Sequence, residues 1–335
     1  MIESILRLAI FATRPIRLTT QRLPMFERLM GIRWSDAEYA GVLKACGLAG
    51  QRLGVAYHWH IINALLIHGM RRMDREAIIK MALANEDLLG WENVAAADPE
   101  RGLVIATPHY GQFVLSIITL GVHLEGKRDL YIFYEDPKNH GTNSVFDQLH
   151  HVIFGEHSST KIVHNNRKGI VAAIKGLQAG GVLLIMPDVY ASKIETYYFD
   201  FFGRTRQAML GTGTLAHRTG ASIVPMLSIP SAGGLGFTTA FAAPIPTLGE
   251  PNPSGLADLT VPYSVTAKMF QSFQSLMMGQ AIYWQYAPAH FATDPTPFPD
   301  PSVVLEFSSM LPTDVRGIFA APVLLDLDSE LIVGN

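Results

Sequence analysis

The chain has 335 residues, of which 48% are hydrophobic and only 16% charged, with a formal net charge of −3. Average soluble domains are about a quarter charged, so this composition predicts a large core and some surface that prefers lipid or another protein; the net charge gives no electrostatic case for nucleic acid, and none is expected as a partner. The single cysteine, Cys46, excludes a disulfide within the chain and a zinc site built on several thiolates, and a reducing, cytoplasmic compartment is the expectation.

At the start of the chain, Ile2, Ile5, Leu6, Ala9 and Ile10 share one face of a helix. Arg7, Arg14, Arg17, Arg22, Arg28 and Arg33 stand against only Glu3 and Glu27. A basic amphipathic start can lie on anionic lipid as a peripheral contact with the inner face of a membrane, or it can dock on its own domain. No segment reaches the roughly 18 consecutive apolar residues of a spanning helix. The run LAIFA is too short for a signal peptide's core.

Residues 1–100 read as a helical region of the same domain, with WHIINALLIHGM inside a long helical stretch from Ala37 to Leu89. Residues 101–292 change character. GLVIAT, DLYIFY, TKIV and GVLLIM are short apolar runs without alternation, the pattern of strands covered on both faces. QFVLSIITLGV, TNSVFDQLHH and RKGIVAAIKGLQAG between them read as helices. The alternation predicts an α/β fold, a central and mostly parallel sheet flanked by helices. GASIVPMLSIP and GFTTAFAAPI add two strands joined as a hairpin, and a long helix follows over Val265 to Tyr286. Four prolines in DPTPFPDP make 293–301 a linker. Residues 302–335 are a short C-terminal extension, an edge hairpin or an arm through which the chain can form an oligomer.

The candidate chemistry centres on TPHYGQFVLSI. His109 follows a strand and precedes a helix, and ligands bind at strand ends in α/β sheets. The positive end of a helix disfavours imidazolium, which suits a general base. There is no G-x-S-x-G nucleophile and no HEXXH pair. His58 and His60, two apart, fall on different sides of a helix. His150, His151 and His157 read as solvated. No metal site and no cofactor are therefore expected, and a lone base points to direct transfer onto a hydroxyl or amine.

RGLVIATPHYGQFV resembles the first motif of the lysophospholipid acyltransferase superfamily, in its lipid A late-acyltransferase branch. IFYEDPKN, GIVAAIKGLQAGGVLLIMPDVY, FDFFGRTRQAMLGTGTLAHRTGASIVPM and AIYWQYAPAHF resemble later motifs in the same order, so the likeness spans residues 40–292. The resemblance implies an acyltransferase that moves an acyl group from an acyl carrier protein or coenzyme A thioester, with no covalent enzyme intermediate. Its motif carries Asp or Glu five residues after the histidine, where this chain has Val114. Asp188, ending the strand GVLLIMPD, is the candidate replacement acid, and Glu135 and Asp136 end another strand. Arg204 and Arg206, in FFGRTRQ, are candidate contacts for a phosphate or carboxylate, or two solvated arginines of a hairpin. Phe113 and its apolar neighbours form core or acyl-tunnel wall. Lys161, Arg167, Lys168 and Lys175 are either a contact for an acidic carrier protein or a solvated helix face. An impaired homologue that only binds acyl thioesters or lipids, as a binding or scaffold protein, is the alternative.

Overall fold

Apolar runs with no polar alternation can be stable only when both faces of the strand are covered, and the computed structural model shows how this chain covers them. It describes residues 2–18, 25, 54–136, 138, 143–155, 158–189, 197–231, 234–247 and 259–290. Cys46, Arg22, Arg28, Arg33, His157, the linker and the C-terminal extension lie outside the described residues.

The elements run from helix α1 (Ile2–Thr13), with a 3-10 turn at Arg14–Leu18, to α2 (Gly54–Met70) and α3 (Arg75–Leu83). Strand β1 (Glu86–Leu89) and the short α4 (Glu92–Ala95) follow. Then come β2 (Leu103–Ala106), α5 (Phe113–Leu124), β3 (Leu130–Tyr134), α6 (Asn143–Phe154), β4 (Thr160–His164), α7 (Arg167–Gln178) and β5 (Val182–Ile185). A hairpin of β6 (Tyr197–Phe201) and β7 (Arg204–Ala208) stands apart from the main sheet. Last are α8 (Gly211–Thr219), β8 (Ser222–Pro230), β9 (Phe237–Phe241), α9 (Thr260–Met277), a 3-10 turn at Ala281–Tyr283 and α10 (Ala287–His290).

The seven-stranded sheet has the order β1-β9-β8-β2-β5-β3-β4. All pairs are parallel except β8 with β9, so the sheet is mostly parallel and the fold is α/β. Successive residues of β2, β5 and β8 enter opposite layers. Val104, Ala106, Leu183 and Ile223 pack with α8, α9 and the hairpin, while Leu103, Ile105, Leu184 and Val224 pack with α2, α3 and α5. Each such fully buried Leu, Ile or Val contributes roughly 1.5–3 kcal/mol relative to exposure. Local signals set the boundaries. Asp74 caps α3 by accepting from the Ala77 N–H, and Asn166 caps α7 by accepting from Gly169. The β6–β7 turn, Phe202 and Gly203, has φ of 56° and 67°, the two positive values a type I′ hairpin requires.

Three expectations need correction. The helical reading of residues 1–100 breaks at Glu86–Leu89, a strand pairing parallel with β9. EDLL has no strand pattern of its own; the unpaired edge of β9 supplies its hydrogen-bonding partners. The long helix begins at Thr260 rather than Val265 and ends at Met277. Gly279, with φ of 75°, turns the chain, and Trp284 is then held extended by a bridge to Tyr110. His150 is not solvated; it is buried between Tyr134 and Phe154.

α1 docks on its own domain and keeps part of its apolar surface exposed. Leu6 and Ile10 are buried against the domain, and Leu6 sits so close to α2 that a Cβ at Gly69 would lie 2.6 Å from its Cδ1. Ile5, Leu8 and Phe11 are exposed. Among the described residues no helix is long and apolar enough to cross a membrane.

Candidate active site

Strands β2 and β5 are parallel neighbours, with Ala106 opposite Ile185. Each ends in a residue, a proline and then a titratable side chain: Thr107-Pro108-His109 and Met186-Pro187-Asp188. The prolines stop the ladder because they have no N–H to donate. His109 and Asp188 therefore sit the same number of residues beyond matched positions, at one end of the sheet. The register alone brings them together.

The Asp188 carboxylate takes three hydrogen bonds. Its Oδ1 lies 2.7 Å from His109 Nδ1, and its Oδ2 accepts from the His109 backbone N–H at 2.8 Å and the Trp284 indole N–H at 2.9 Å. A carboxylate accepts and cannot donate, so Nδ1 carries the ring proton and Nε2 is the acceptor. Asp188 is 1% exposed and the His109 side chain 17%. Among the described residues nothing hydrogen-bonds to Nε2, which leaves it open to a substrate proton. Burial alone would raise the Asp188 carboxyl. The His109 charge, the hydrogen bonds from its ring and from Trp284, and the Arg206 charge outweigh burial and hold it below its ordinary value.

The loop carrying His109 is fixed on its other side by the segment after α9. Gln285 donates its N–H to the His109 carbonyl at 2.9 Å, and Gly111 donates to the Tyr283 carbonyl at 3.1 Å. Gly111 has φ of 58°, and a Cβ there would stand 1.9 Å from the Ser228 carbonyl oxygen, so only glycine fits. The rings of Phe113 and Tyr286 both meet the imidazole edge-on, with centroids 5.3 Å away. Burial first, then the Asp188 charge, pushes the Tyr286 hydroxyl up to about 12, so it stays a neutral wall.

The other expected site residues are spread more widely. Val114 lies in the first turn of α5, half-buried and packed into the apolar layer beneath that helix. With α5 starting only at Phe113, the charged group at the imidazole is the Asp188 carboxylate rather than a helix end. Glu135 follows β3, on the strand end next to β5, and accepts from Asn165 at 3.1 Å. The Arg204 side chain lies outside the described residues. Arg206 is neither solvated nor a surface contact for a phosphate. It is fully buried because strand alternation turns it inward beneath the dyad, where it donates to the Asp188 carbonyl and lies over the Trp284 ring, 5.2 Å from its centroid. Arg167, Lys168 and Lys175 are exposed along α7, and Lys161 pairs with Asp129 at 2.5 Å. Among the described residues no three His, Cys, Asp or Glu side chains are grouped to hold a metal ion.

Trp284 is the site residue that pattern reading passed over. A buried indole N–H needs an acceptor, but which acceptor depends on the fold of a segment that reads as the end of a helix.

No curated protein matches the chain. The crystal structure of the 1-acyl-sn-glycerophosphate (LPA) acyltransferase PlsC from Thermotoga maritima matches at 13% identity and a TM-score of 0.32, over 82% of this chain and 94% of that one. That likeness is too distant to bear on the site. The bacterial lipid A biosynthesis acyltransferase family matches residues 70–285, well over half of the sequence and the whole of the His109–Asp188–Trp284 constellation; the chain belongs to that family and is an acyltransferase.

Proposed function

We propose that this acyltransferase moves an acyl group from a carrier-protein or coenzyme A thioester to a hydroxyl or amine of a lipid or secondary-metabolite acceptor. His109 is the general base and Asp188 its acid partner. The observation that carries this reading is the 2.7 Å contact between Asp188 Oδ1 and His109 Nδ1, in a chain whose motif position 114 holds valine. The acceptor hydroxyl gives its proton to Nε2 as its oxygen attacks the thioester carbonyl. The C–O bond forms, the C–S bond breaks, and the imidazolium returns the proton to the departing thiolate. Asp188 stabilises the imidazolium between those two events. Phe113 walls the acyl path, and Glu135 and Arg204 are contacts for the acceptor. The exposed cations of α7 receive an acidic carrier protein.

The test is a mass-spectrometric screen of purified protein with carrier-protein and coenzyme A thioesters against hydroxyl and amine acceptors, with His109→Ala alongside. Transfer by the wild type, lost in the variant while circular dichroism is unchanged, is the expected result. Tight thioester binding without turnover would move the protein to the binding-only alternative. Near wild-type turnover in His109→Ala would remove the base assignment.

We also infer a peripheral membrane contact through α1. Ile5 is 59% exposed, Leu8 69% and Phe11 61%, beside Arg14 and Arg17, while the opposite side of the helix is docked through Leu6 and Ile10. An apolar strip edged by arginine suits an anionic lipid surface.

A further inference from the structure

We propose that Trp284 is the positioning residue of the dyad: its indole N–H fixes the Asp188 carboxylate so that the remaining oxygen meets His109 Nδ1. This rests on the acyl-transfer reading given above.

A carboxylate at the end of a loop can rotate about its terminal bond. In this site its two oxygens have different duties. Among the described residues Oδ1 faces only the ring nitrogen, at 2.7 Å. Oδ2 is held by two donors, the His109 backbone N–H at 2.8 Å and Trp284 Nε1 at 2.9 Å. The first of these donors travels with the His109 loop, so it does not fix the carboxylate relative to anything else. Trp284 comes from a different part of the chain, beyond α9, and is 1% exposed. Its ring is held edge-on by Phe201 at 5.2 Å and by His290 at 5.3 Å, with the Arg206 guanidinium over its face. The same guanidinium donates to the main-chain carbonyl of Asp188. Trp284 thus carries an external reference point into the dyad. The acid here sits on a separate strand from the histidine, and the segment that carries the indole is bonded through its backbone to the His109 loop, so one support from beyond α9 holds both members in place.

The test is Trp284→Phe, which keeps a buried aromatic ring and deletes the N–H. The expected result is a fall in kcat of about tenfold or more, in the range for losing a charge-assisted hydrogen bond, with KM within about threefold. The acid limb of the kcat profile moves to higher pH. Without the indole N–H the carboxylate is a stronger base, so the pair keeps its proton to higher pH and its apparent titration shifts as a unit. The hydrogen-bonded His109 Nδ1 proton, expected downfield in the NMR spectrum of the wild type, should exchange faster or disappear in the variant. A simple packing role would lower the melting temperature and leave both the acid limb and this proton unchanged. That outcome, or kcat within twofold of wild type, overturns the proposal. If the phenylalanine variant fails to fold, site-specific 3-benzothienylalanine puts sulfur in place of the N–H at nearly constant shape, and the same readouts decide. If the wild type transfers no acyl group, the functional reading fails on its own. The NMR signal still decides the positioning role: loss in the variant supports it, and persistence refutes it.

Discussion

Asp188→Asn is the perturbation that isolates the acid partner, because it preserves shape and removes charge. The side chain has one oxygen and one NH2 to place among three donors. Among the described residues two donors, the His109 N–H and the Trp284 N–H, converge on the Oδ2 position, and only one, Nδ1, faces Oδ1. Setting the NH2 against two N–H groups leaves more buried donors unsatisfied than setting it against one, at about 1–3 kcal/mol each. The amide oxygen therefore takes the Oδ2 position and the NH2 faces the imidazole. Nδ1 must then accept, and the ring proton moves to Nε2, the atom that receives the acceptor's proton in the proposed mechanism. The tautomer is wrong for a base while the fold is intact. The expected loss in single-turnover acyl transfer is ~10²–10⁴-fold, the range for removing a general base and its orienting acid.

Stability gives an independent sign. Asp188 is held below the ordinary carboxyl value of 3.8 in the folded protein. Its ionised form contributes stability that is fully present above that value and is lost as pH falls through the lowered one. Unfolding of the wild type by denaturant should lose stability below about pH 4, and part of that dependence should be missing from Asp188→Asn. Transfer by Asp188→Asn within threefold of wild type would refute the assignment of Asp188 as the partner of the base.

Val114→Glu restores the family's motif in name, but it sets a carboxylate in the apolar layer under α5 while the imidazole is already bonded to Asp188; thioester consumption should be unchanged or lower, and stability should fall by about 1–3 kcal/mol, with a large gain in transfer counting against Asp188. Leu8→Asp with Phe11→Asp removes the exposed apolar strip of α1 without touching Leu6 or Ile10. Flotation with anionic vesicles should drop to background while the melting temperature is held, and unchanged flotation would place any lipid contact elsewhere.

The central strands were legible because β2 and β5 are buried on both faces, which leaves an unbroken apolar run in the sequence. The position of His109 was legible for the same reason: a polar ring after such a run must stand at the strand's end. Asp188 could be suggested as a strand-end acid, but its pairing with His109 depends on β2 and β5 being neighbours. The order β2-β5-β3 is a property of crossovers and has no local sequence signal. Arg206 shows the opposite limit. In RTRQ nothing distinguishes an arginine pointing at solvent from one pointing inward; the difference comes from the packing of the hairpin against α9 and Trp284. Trp284 was hidden by a helical pattern that continues past the point where Gly279 turns the chain.

Moving the acid from position 114 to position 188 changes what the dyad depends on. An acid five residues after the histidine is positioned by the first turn of one helix. An acid on a neighbouring strand is positioned by sheet register, and its burial has to be offset by hydrogen bonds, since an isolated buried carboxylate would take up a proton instead. Three donors at 2.7, 2.8 and 2.9 Å offset it here. Two of the three come from His109 itself, so the histidine and the acid stabilise each other. With the acid supplied from β5, the start of α5 is free of the need for a carboxylate. Val114 instead packs into the apolar layer beneath α5, next in sequence to Phe113, whose ring meets the imidazole. A valine at the motif position is therefore compatible with a complete dyad. Position 114 lies in the apolar layer under α5, and the carboxylate that meets the imidazole comes from the end of β5 instead.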